Sequence, residues 1–438
     1  MTTTINNEHK ELNFSSEREQ SQACLNSAEH EKNQGRKVLN VPNLRFKEFK
    51  GEWEKCKFGD IAIVVGGGTP VTNTSQYWNG KIQWFTPSEI GRNKYVYNSV
   101  RTISEEGLNK SSAKLLPIGT ILLSSRATVG ECSINKKECT TNQGFQSLIP
   151  KENISNEFVY YLIQTKRKDL IRKSCGSTFL EISANEVRKI VVSIPTIKEQ
   201  DKIAKLLSLL DERIATQNKI IDKLQSLIKG MEDNLLDNPL WEKTYLRSFM
   251  QFFPTNSLSW EQLSYKEGAI RNLHYGLIHG LQTRGINSAS LPMIKNEAIP
   301  KQYTLCQVGD VAFADASEDT GEIAKSVEFV DTIEGETICG LHTIHGRDIK
   351  NRTVVGFKGF AFNSRYFHNQ IKRLAQGTKV FSITANNLSS CYVYLPDLDT
   401  QTVIVRLLKS YEEQLIINRM ILKQYEKQKQ YLLRQMFI

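Results

Sequence analysis

Cys175-Gly-Ser-Thr-Phe-Leu-Glu-Ile-Ser-Ala-Asn185 and Gln376-Gly-Thr-Lys-Val-Phe-Ser-Ile-Thr-Ala-Asn386 are two versions of one segment. The register holds without a gap through Ile190–Pro195 and Cys391–Pro396, so that residues 175–214 parallel residues 376–415. Matching positions include Gly176/Gly377, Ile182/Ile383, Ala184/Ala385, Asn185/Asn386, Pro195/Pro396, Gln200/Gln401 and Leu206/Leu407. A chain that repeats a domain end plus the start of a helix is built as two pseudo-equivalent halves. On a basic protein, twofold-related halves point to a twofold-related ligand, of which DNA is the first choice. The competing reading is an old duplication without functional meaning.

Downstream of each repeat lies a helical pattern. Thr196-Ile-Lys-Glu199 has the form of a capping box, in which the Thr hydroxyl and the Glu carboxylate satisfy the first free amides of a helix. Heptad a positions are Leu207, Ile214, Ile221, Ile228 and Leu235; d positions are Ile203, Leu210, Gln217, Leu224 and Met231. Only Gln217 is polar, a strong coiled-coil pattern. Asp397 is expected to cap the second helix, with a positions Leu408, Leu415, Leu422, Lys429 and Met436 and d positions Ile404, Tyr411, Asn418, Tyr425 and Leu432. Gln217 and Asn418 are the same repeat position and fall in the central heptads, where a polar pair fixes register at some cost in stability. Each helix of roughly 40 residues is about 60 Å long, whereas a domain of this size is about 40 Å across. A parallel pair would force the second domain to return its chain along the full helix. The helices are therefore expected to pair antiparallel, giving a rod with a globular domain at each end.

The rest of the chain divides around these helices. Residues 1–40 are polar and aperiodic and read as a mobile tail. Residues 41–195 form a first domain, with β-type runs at Ile61–Val65, Ile82–Phe85, Thr120–Ser124 and Ile190–Ile194 and a strong break at Gly66-Gly-Gly-Thr-Pro70. Residues 196–237 are the first helix, 238–396 a second domain and 397–438 the second helix. The fold class is α+β.

Composition narrows the function classes. Hydrophobic residues make up 39% and charged residues 24% of 438 positions, ordinary for a globular protein. No apolar run reaches the roughly 20 residues of a membrane span, and the first residues lack a secretory signal, so a cytoplasmic location is expected. Eight cysteines occur singly without a CxxC pair, which fits reduced thiols and not a disulfide framework. Net charge is +10, compatible with nucleic acid. Between Lys81 and Lys173 there are 15 Lys/Arg against 8 Asp/Glu, and Lys166-Arg-Lys with Arg172-Lys173 ends a helix-like stretch, Glu157–Lys173. That cluster suits either phosphate contact or a solvated face.

Catalytic signatures are weak. An amino-methyltransferase needs a Gly-rich cofactor loop and an Asp/Asn-Pro-Pro-aromatic motif; Asn238-Pro-Leu-Trp241 lacks the second Pro and reads as a helix stop. Gly66-Gly-Gly-Thr-Pro70 lacks the Lys-Ser/Thr of a phosphate loop. Asp315…Glu322-Ile-Ala-Lys325 misses the common nuclease spacing by one residue. His342-Thr-Ile-His345 has no acidic or Cys partner at ligand spacing, so no metal site is expected. A coiled-coil scaffold would explain the helices but not two large domains with basic loops.

The order domain, helix, domain, helix resembles the DNA specificity subunit of type I restriction-modification systems. Val41-Pro-Asn-Leu-Arg-Phe46 and Gly51-Glu-Trp-Glu54 are similar to that family's entry. Gly67-Gly-Thr-Pro70, Trp84-Phe-Thr-Pro-Ser-Glu-Ile90, Gly119-Thr-Ile-Leu-Leu-Ser124 and Thr141-Asn-Gln-Gly-Phe145 resemble motifs of its first target recognition domain. Ile270-Arg-Asn-Leu-His-Tyr-Gly-Leu-Ile-His279 and Gly309-Asp-Val-Ala-Phe313 do so for the second. The resemblance covers about residues 41–438. It implies two target recognition domains joined by an antiparallel coiled coil, each reading one half of a bipartite double-stranded DNA target. The helices would set the gap and dock two modification subunits. Restriction subunits would join them, with S-adenosylmethionine, ATP and Mg²⁺ held in the partners and no catalytic centre in this chain. A scaffold or a self-contained DNA-modifying enzyme are the alternatives. Phosphate contact calls for Lys, Arg or free amides, and base reading for Arg/Lys on guanine and Asn/Gln on adenine. Within the segments of resemblance the candidates are Thr69, Lys81, Arg92, Lys94, Arg126 and Gln143, then Arg271, His274, Tyr275, His279, Arg284 and Arg347.

Overall fold

The computed structural model describes residues 39–438 except 177–179, 282–283, 332 and 334. The expected tail, residues 1–40, lies outside the described residues but for its last two. The chain divides into two compact units, Met1–Leu207 with Gln430–Ile438, and Ser208–Lys429. The divisions fall within the two long helices, Ile197–Leu236 and Leu398–Gln435, because the ends of each helix are built into a hydrophobic core. Ile203, Ala204, Leu207, Met436 and Phe437 belong to the core of the first unit; Leu236, Ile404 and Leu408 belong to that of the second.

In the first unit β1 (Glu54–Lys57) pairs antiparallel with β10 (Val191–Ile194). A five-stranded sheet follows the order β2 (Ala62–Gly66), β9 (Gln146–Pro150), β6 (Ile121–Leu123), β7 (Cys132–Asn135), β4 (Tyr95–Val96). A smaller sheet sets β3 (Trp78–Phe85) between antiparallel β5 (Arg101–Ile103) and parallel β8 (Cys139–Thr141). The four expected strands of this domain are thus present as β2, β3, β6 and β10. The last turn of the chain closes the core: Phe437 stacks on Phe158 with ring centroids 5.1 Å apart and meets Trp53 edge-on.

The second unit repeats this topology. β11 (Glu242–Tyr245) pairs with β23 (Tyr392–Leu395). Its five-stranded sheet runs β12 (Met250–Phe253), β21 (Thr343–Asp348), β17 (Val311–Ala314), β19 (Ser326–Phe329), β15 (Gly285–Ile286). Strand for strand, the directions match those of the first unit, down to the single parallel pair at the far edge (β4 on β7, β15 on β19). The smaller sheet again places β14 (Arg271–Leu273) beside a parallel partner, β20 (Thr337–Cys339), with β16 (Met293–Ile294) antiparallel on its other side.

The repeated residues have repeated structural work. Gly176 and Gly377 have φ of 119° and 128°, a backbone region costly for other residues, and a Cβ on Gly377 would lie 1.9 Å from the Val380 carbonyl oxygen. Gln200 and Gln401 are fully buried. The Gln200 amide donates to the Pro195 carbonyl at 2.9 Å and accepts from the Ser155 amide at 2.9 Å; Gln401 donates to the Pro396 and Arg352 carbonyls, both at 3.0 Å, and accepts from the Val354 amide at 3.0 Å. Each glutamine thus ties a helix start to the loop beside it. Replacing Gln401 by Leu leaves three part-buried backbone groups without this partner. At about 1–3 kcal/mol for each orphaned group, partly offset by relaxation, the expected loss is about 3 kcal/mol. This lowers Tm by roughly 10 °C for a unit of this size. Gln200→Leu, which frees two such groups, is expected to lower stability by about 2 kcal/mol in the first unit, and calorimetry of each single variant checks it.

Within the second unit the long helices run antiparallel, since Asp211 meets Lys429 at 2.7 Å, and Gln217 donates to the Asn418 side chain at 2.6 Å and to its carbonyl at 3.1 Å. Ile221, Ile228 and Leu415 form a small buried seam flanked by Leu224, Met231, Tyr411 and Leu422. Asp397 caps the second helix by accepting from the Thr400 amide at 2.8 Å.

Two local expectations need correction. The stretch Glu157–Lys173 is two helices, Asn156–Thr165 and Arg167–Arg172, broken at Lys166. All of Phe158 to Ile163 is buried, so the first helix is enclosed and has no one-sided apolar stripe. Glu199 is directed elsewhere than to the helix start: its buried carboxylate takes Arg45 through two 2.8 Å bonds and the Trp53 indole at 3.3 Å.

Candidate nucleic-acid interface

Three loops follow equivalent strands in each unit and are fastened together by equivalent backbone bonds. In the first unit the Asn142 amide donates to the Phe85 carbonyl at 3.0 Å, joining the loop after β8 to the loop after β3. The Ser125 amide donates to the Gly144 carbonyl at 2.8 Å, adding the loop after β6. The counterparts in the second unit are Gly340 to Leu273 at 2.9 Å and Asp315 to His342 at 3.0 Å. The repeated segments sit against the same place, because the Ile182 amide donates to the Ser125 carbonyl and the Ile383 amide to the Asp315 carbonyl, each at 3.0 Å. A loop cluster carried on a rigid sheet is the usual setting for recognition residues.

The Gly66–Pro70 loop joins this cluster in the first unit. The Gly68 amide donates to the Thr141 carbonyl at 2.8 Å and the Trp84 indole donates to the Gly68 carbonyl at 2.9 Å. A Cβ on Gly67 would lie 2.0 Å from the Asn142 carbonyl oxygen, so the approach requires glycine. This brings Thr69 and Gln143 together, with the Thr69 hydroxyl bonded to the Gln143 amide oxygen. Arg126 lies one residue beyond Ser125 and pairs with Glu181 at 2.8 Å, both about half exposed. Such surface pairs contribute about 1 kcal/mol or less, and an incoming phosphate can compete for the guanidinium. Lys81 and Arg92 are exposed, Lys81 on β3 and Arg92 in a turn.

Lys94 lies elsewhere. Its ammonium bonds Glu157 at 3.0 Å and the Tyr161 hydroxyl at 3.3 Å beneath the sheet, with a side chain only 9% exposed. Burial pushes the Glu157 carboxyl up, but hydrogen bonds from Tyr95 and Lys94 outweigh it and hold it below the usual range. The basic cluster at 166–173 is also engaged internally. Arg167 pairs with Glu131 at 2.7 Å, Arg172 with Asp169 at 2.8 Å, and Lys166 donates to the Ile438 carbonyl at 2.9 Å.

In the second unit, an aromatic and imidazole patch occupies the equivalent loops. His274 caps the helix Tyr275–Gly280 by accepting at Nδ1 from the Gly276 amide at 3.2 Å. Its ring lies 4.5 Å from Trp260 and 4.7 Å from Tyr275; Tyr275 in turn lies 6.0 Å from His279 and 5.2 Å from His342. Burial, with a smaller push from His342, lowers the His274 pKa, so its imidazole is neutral at physiological pH and Nε2–H is its donor. Trp260 and His342, the two members outside the sequence candidates, are about half exposed. No sequence signal marks Trp260; His342, noted in the sequence only beside His345, stands at a φ of 54°, a strained region for a non-glycine residue.

The three candidate arginines of this unit are tied inward. Arg271 donates to the Ala289 and Leu291 carbonyls at 2.9 and 3.3 Å. Arg347 clasps Asp310 through two 2.7 Å bonds and donates to the Leu305 carbonyl at 2.8 Å. Burial raises the Asp310 carboxyl, but bonds from Arg347 and His345 prevail and keep it below its ordinary value. Arg284 lines a groove of about 690 Å³ beside the long helices and meets Glu232 at 3.5 Å. In the same groove, burial pushes the Glu412 carboxyl up to about 7. The expectation that His345 lacks cysteine partners is also corrected: Cys306 and Cys339, remote in sequence, come within ligand distance of it.

Among the described residues no helix is long and apolar enough to cross a membrane. Residues 50–226 match the type I restriction modification DNA specificity domain. The MjaIX type I restriction enzyme specificity subunit of Methanocaldococcus jannaschii is 40% identical over 180 residues, covering 40% of this chain and 42% of that protein. The EcoR124I/EcoR124II specificity subunit of Escherichia coli is 33% identical over 175 residues, 38% of this chain and 43% of that one. The chain thus aligns with only about two-fifths of the length of these relatives. The MjaVIII specificity subunit of M. jannaschii aligns over 88% of this chain and 93% of its own length, at 24% identity. In fold, the S subunit of a type I restriction-modification system from M. genitalium superposes with a TM-score of 0.55 at 14% identity, covering 91% of this chain and 99% of that chain. The first half of the chain is thus similar to a type I restriction modification DNA specificity domain, and the sheet topology of that half is repeated in the second.

Proposed function

We propose that this chain is the sequence-reading subunit of a type I restriction-modification complex, each unit reading one half of a bipartite double-stranded DNA target. The observation that carries the reading is the duplicated loop cluster, the same three loops fastened by the same backbone bonds in both units. Identical scaffolds with different loop side chains suit two half-sites of different sequence. In the first unit Thr69, Lys81, Arg92, Arg126 and Gln143 are the proposed contacts. In the second they are Tyr275 and His279, joined by Trp260 and His342, while the buried His274 holds the start of their helix behind them. Lys94, Arg271 and Arg347 hold the loops' supports, and Arg284 faces the groove by the helices.

The long helices are proposed to set the gap between half-sites and to dock two modification subunits, with restriction subunits added to that core in the cytoplasm. This chain supplies no catalytic group in that scheme: methyl transfer from S-adenosylmethionine and ATP- and Mg²⁺-dependent translocation and cleavage belong to the partners. Mapping methylated adenines in cells with and without the chain tests the reading. A split motif methylated only in its presence is expected, and methylation of DNA by the purified chain alone would overturn it. Binding of the assembled complex to that motif is expected to weaken by orders of magnitude between about 50 and 200 mM salt, as released counterions require. Filter binding across that range checks it, and a flat affinity would remove the phosphate contacts from the scheme.

A further inference from the structure

Cys306, Cys339 and His345 form a compact set of soft ligands inside the second unit. The two sulfurs and one ring nitrogen all lie within 4.8 Å of one another, and all three residues are buried. They come from different parts of the fold. Cys306 precedes β17, Cys339 ends β20 in the smaller sheet, and His345 is on β21 in the five-stranded sheet. We propose that they bind one Zn²⁺ ion, which clamps the two sheets of this unit together directly behind the Leu341–His342 turn.

Three features support a metal over an ordinary thiol pair. The sulfurs are 3.6 Å apart. Two thiolates on a tetrahedral zinc with Zn–S bonds of about 2.3 Å are separated by about 3.8 Å, so the pair needs almost no movement. His345 already has the outer partner that metal-bound imidazoles take. Its Nε2 is 2.7 Å from Asp310, whose carboxylate the Arg347 fork holds in place. Nε2 is therefore the protonated nitrogen, and Nδ1 carries the lone pair a metal needs. Thr337 is two residues before Cys339 and so projects from the same face of β20. Its hydroxyl is buried with no hydrogen-bond partner among the described residues. A water completing the zinc coordination would supply that partner. Thiolate and imidazole donors select zinc over magnesium or calcium, and the site's burial suits a structural ion.

The site is peculiar to the second unit. By strand register the corresponding positions of the first unit are Leu116, Thr141 and Ser147, which offer no such ligand set. The clamp is thus an addition to the duplicated scaffold and independent of which DNA sequence is read.

Elemental analysis of the full-length chain, purified without chelator from zinc-supplemented cells, tests the proposal. About one zinc per chain is expected. Replacing it with Co²⁺ is expected to give intense thiolate-to-cobalt charge-transfer absorption with tetrahedral d–d bands. Cys306→Ser with Cys339→Ser should abolish both signals, and a chelator should lower the Tm of the unaltered chain but not of this variant. Zinc well below one per chain overturns the proposal, as does zinc retained by the double variant. Thiol titration of the denatured chain that falls short by two, marking a disulfide, overturns it too. The stoichiometry and cobalt spectrum of the unaltered chain decide the matter even if the variant fails to fold.

Discussion

Exchange of residues 41–195 for the first recognition domain of a type I specificity subunit is expected, on the proposed function, to replace one half of the methylated sequence and leave the other half unchanged. Each mismatched base pair costs about 1–3 kcal/mol, so three altered positions weaken binding to the old site at least roughly a hundredfold. The new half-site should be methylated in its place, and methylation mapping reads both outcomes at once. The structure adds a condition. Phe437, at the far end of the sequence, stacks on Phe158 and meets Trp53 in the core of the first unit. The donor domain must therefore keep aromatic partners at those two positions, or the chimera loses part of a core instead of changing its specificity. A change in both halves of the target would show that the two units do not read separately.

Lengthening the helices is expected to change the gap between the half-sites and nothing else in the motif. Gln217 and Asn418 mark one level of the antiparallel seam. Four residues inserted after Asn218 in the first helix and four after Ile417 in the second lengthen both by about 6 Å while keeping that pair intact. At about 3.4 Å per base pair this moves the preferred gap by one or two base pairs. Four residues also exceed one helical turn by roughly 40°, which locally unwinds the seam and turns one reader relative to the other. Methylation of the lengthened site should accordingly be less efficient. Methylation mapping decides the matter: an unchanged gap at full efficiency would leave the helices as a docking platform alone.

The reach of the sequence is clearest at positions where one residue type has one physical use. The glycines of the repeat, the buried glutamines after each Pro, the Asp397 cap and the heptads of both helices are local or periodic features, and periodicity survives in a linear reading. So does the α+β class, because alternating short strands and breaks need no knowledge of which strand meets which. The charges were a poorer guide. Lys94, Arg271 and Arg347 share their residue type with the exposed candidates Lys81, Arg92 and Arg126. What sets them apart is the partners that the fold brings to them from elsewhere in the chain: Glu157 and Tyr161, the Ala289 and Leu291 carbonyls, and Asp310 with the Leu305 carbonyl.

By itself the sequence determined the duplication and the two long helices with a polar pair in their central heptads. Only the tertiary structure decided which loops of each domain lie together, because that depends on sheet order: β8 and β20 run parallel to β3 and β14, so the loops following both strands emerge at one edge. It also decided that Cys306, Cys339 and His345 converge across two sheets. A metal-ligand set read along the chain depends on short spacing, whereas strand pairing brings residues 33 and 39 positions apart into contact, and no local pattern carries that information.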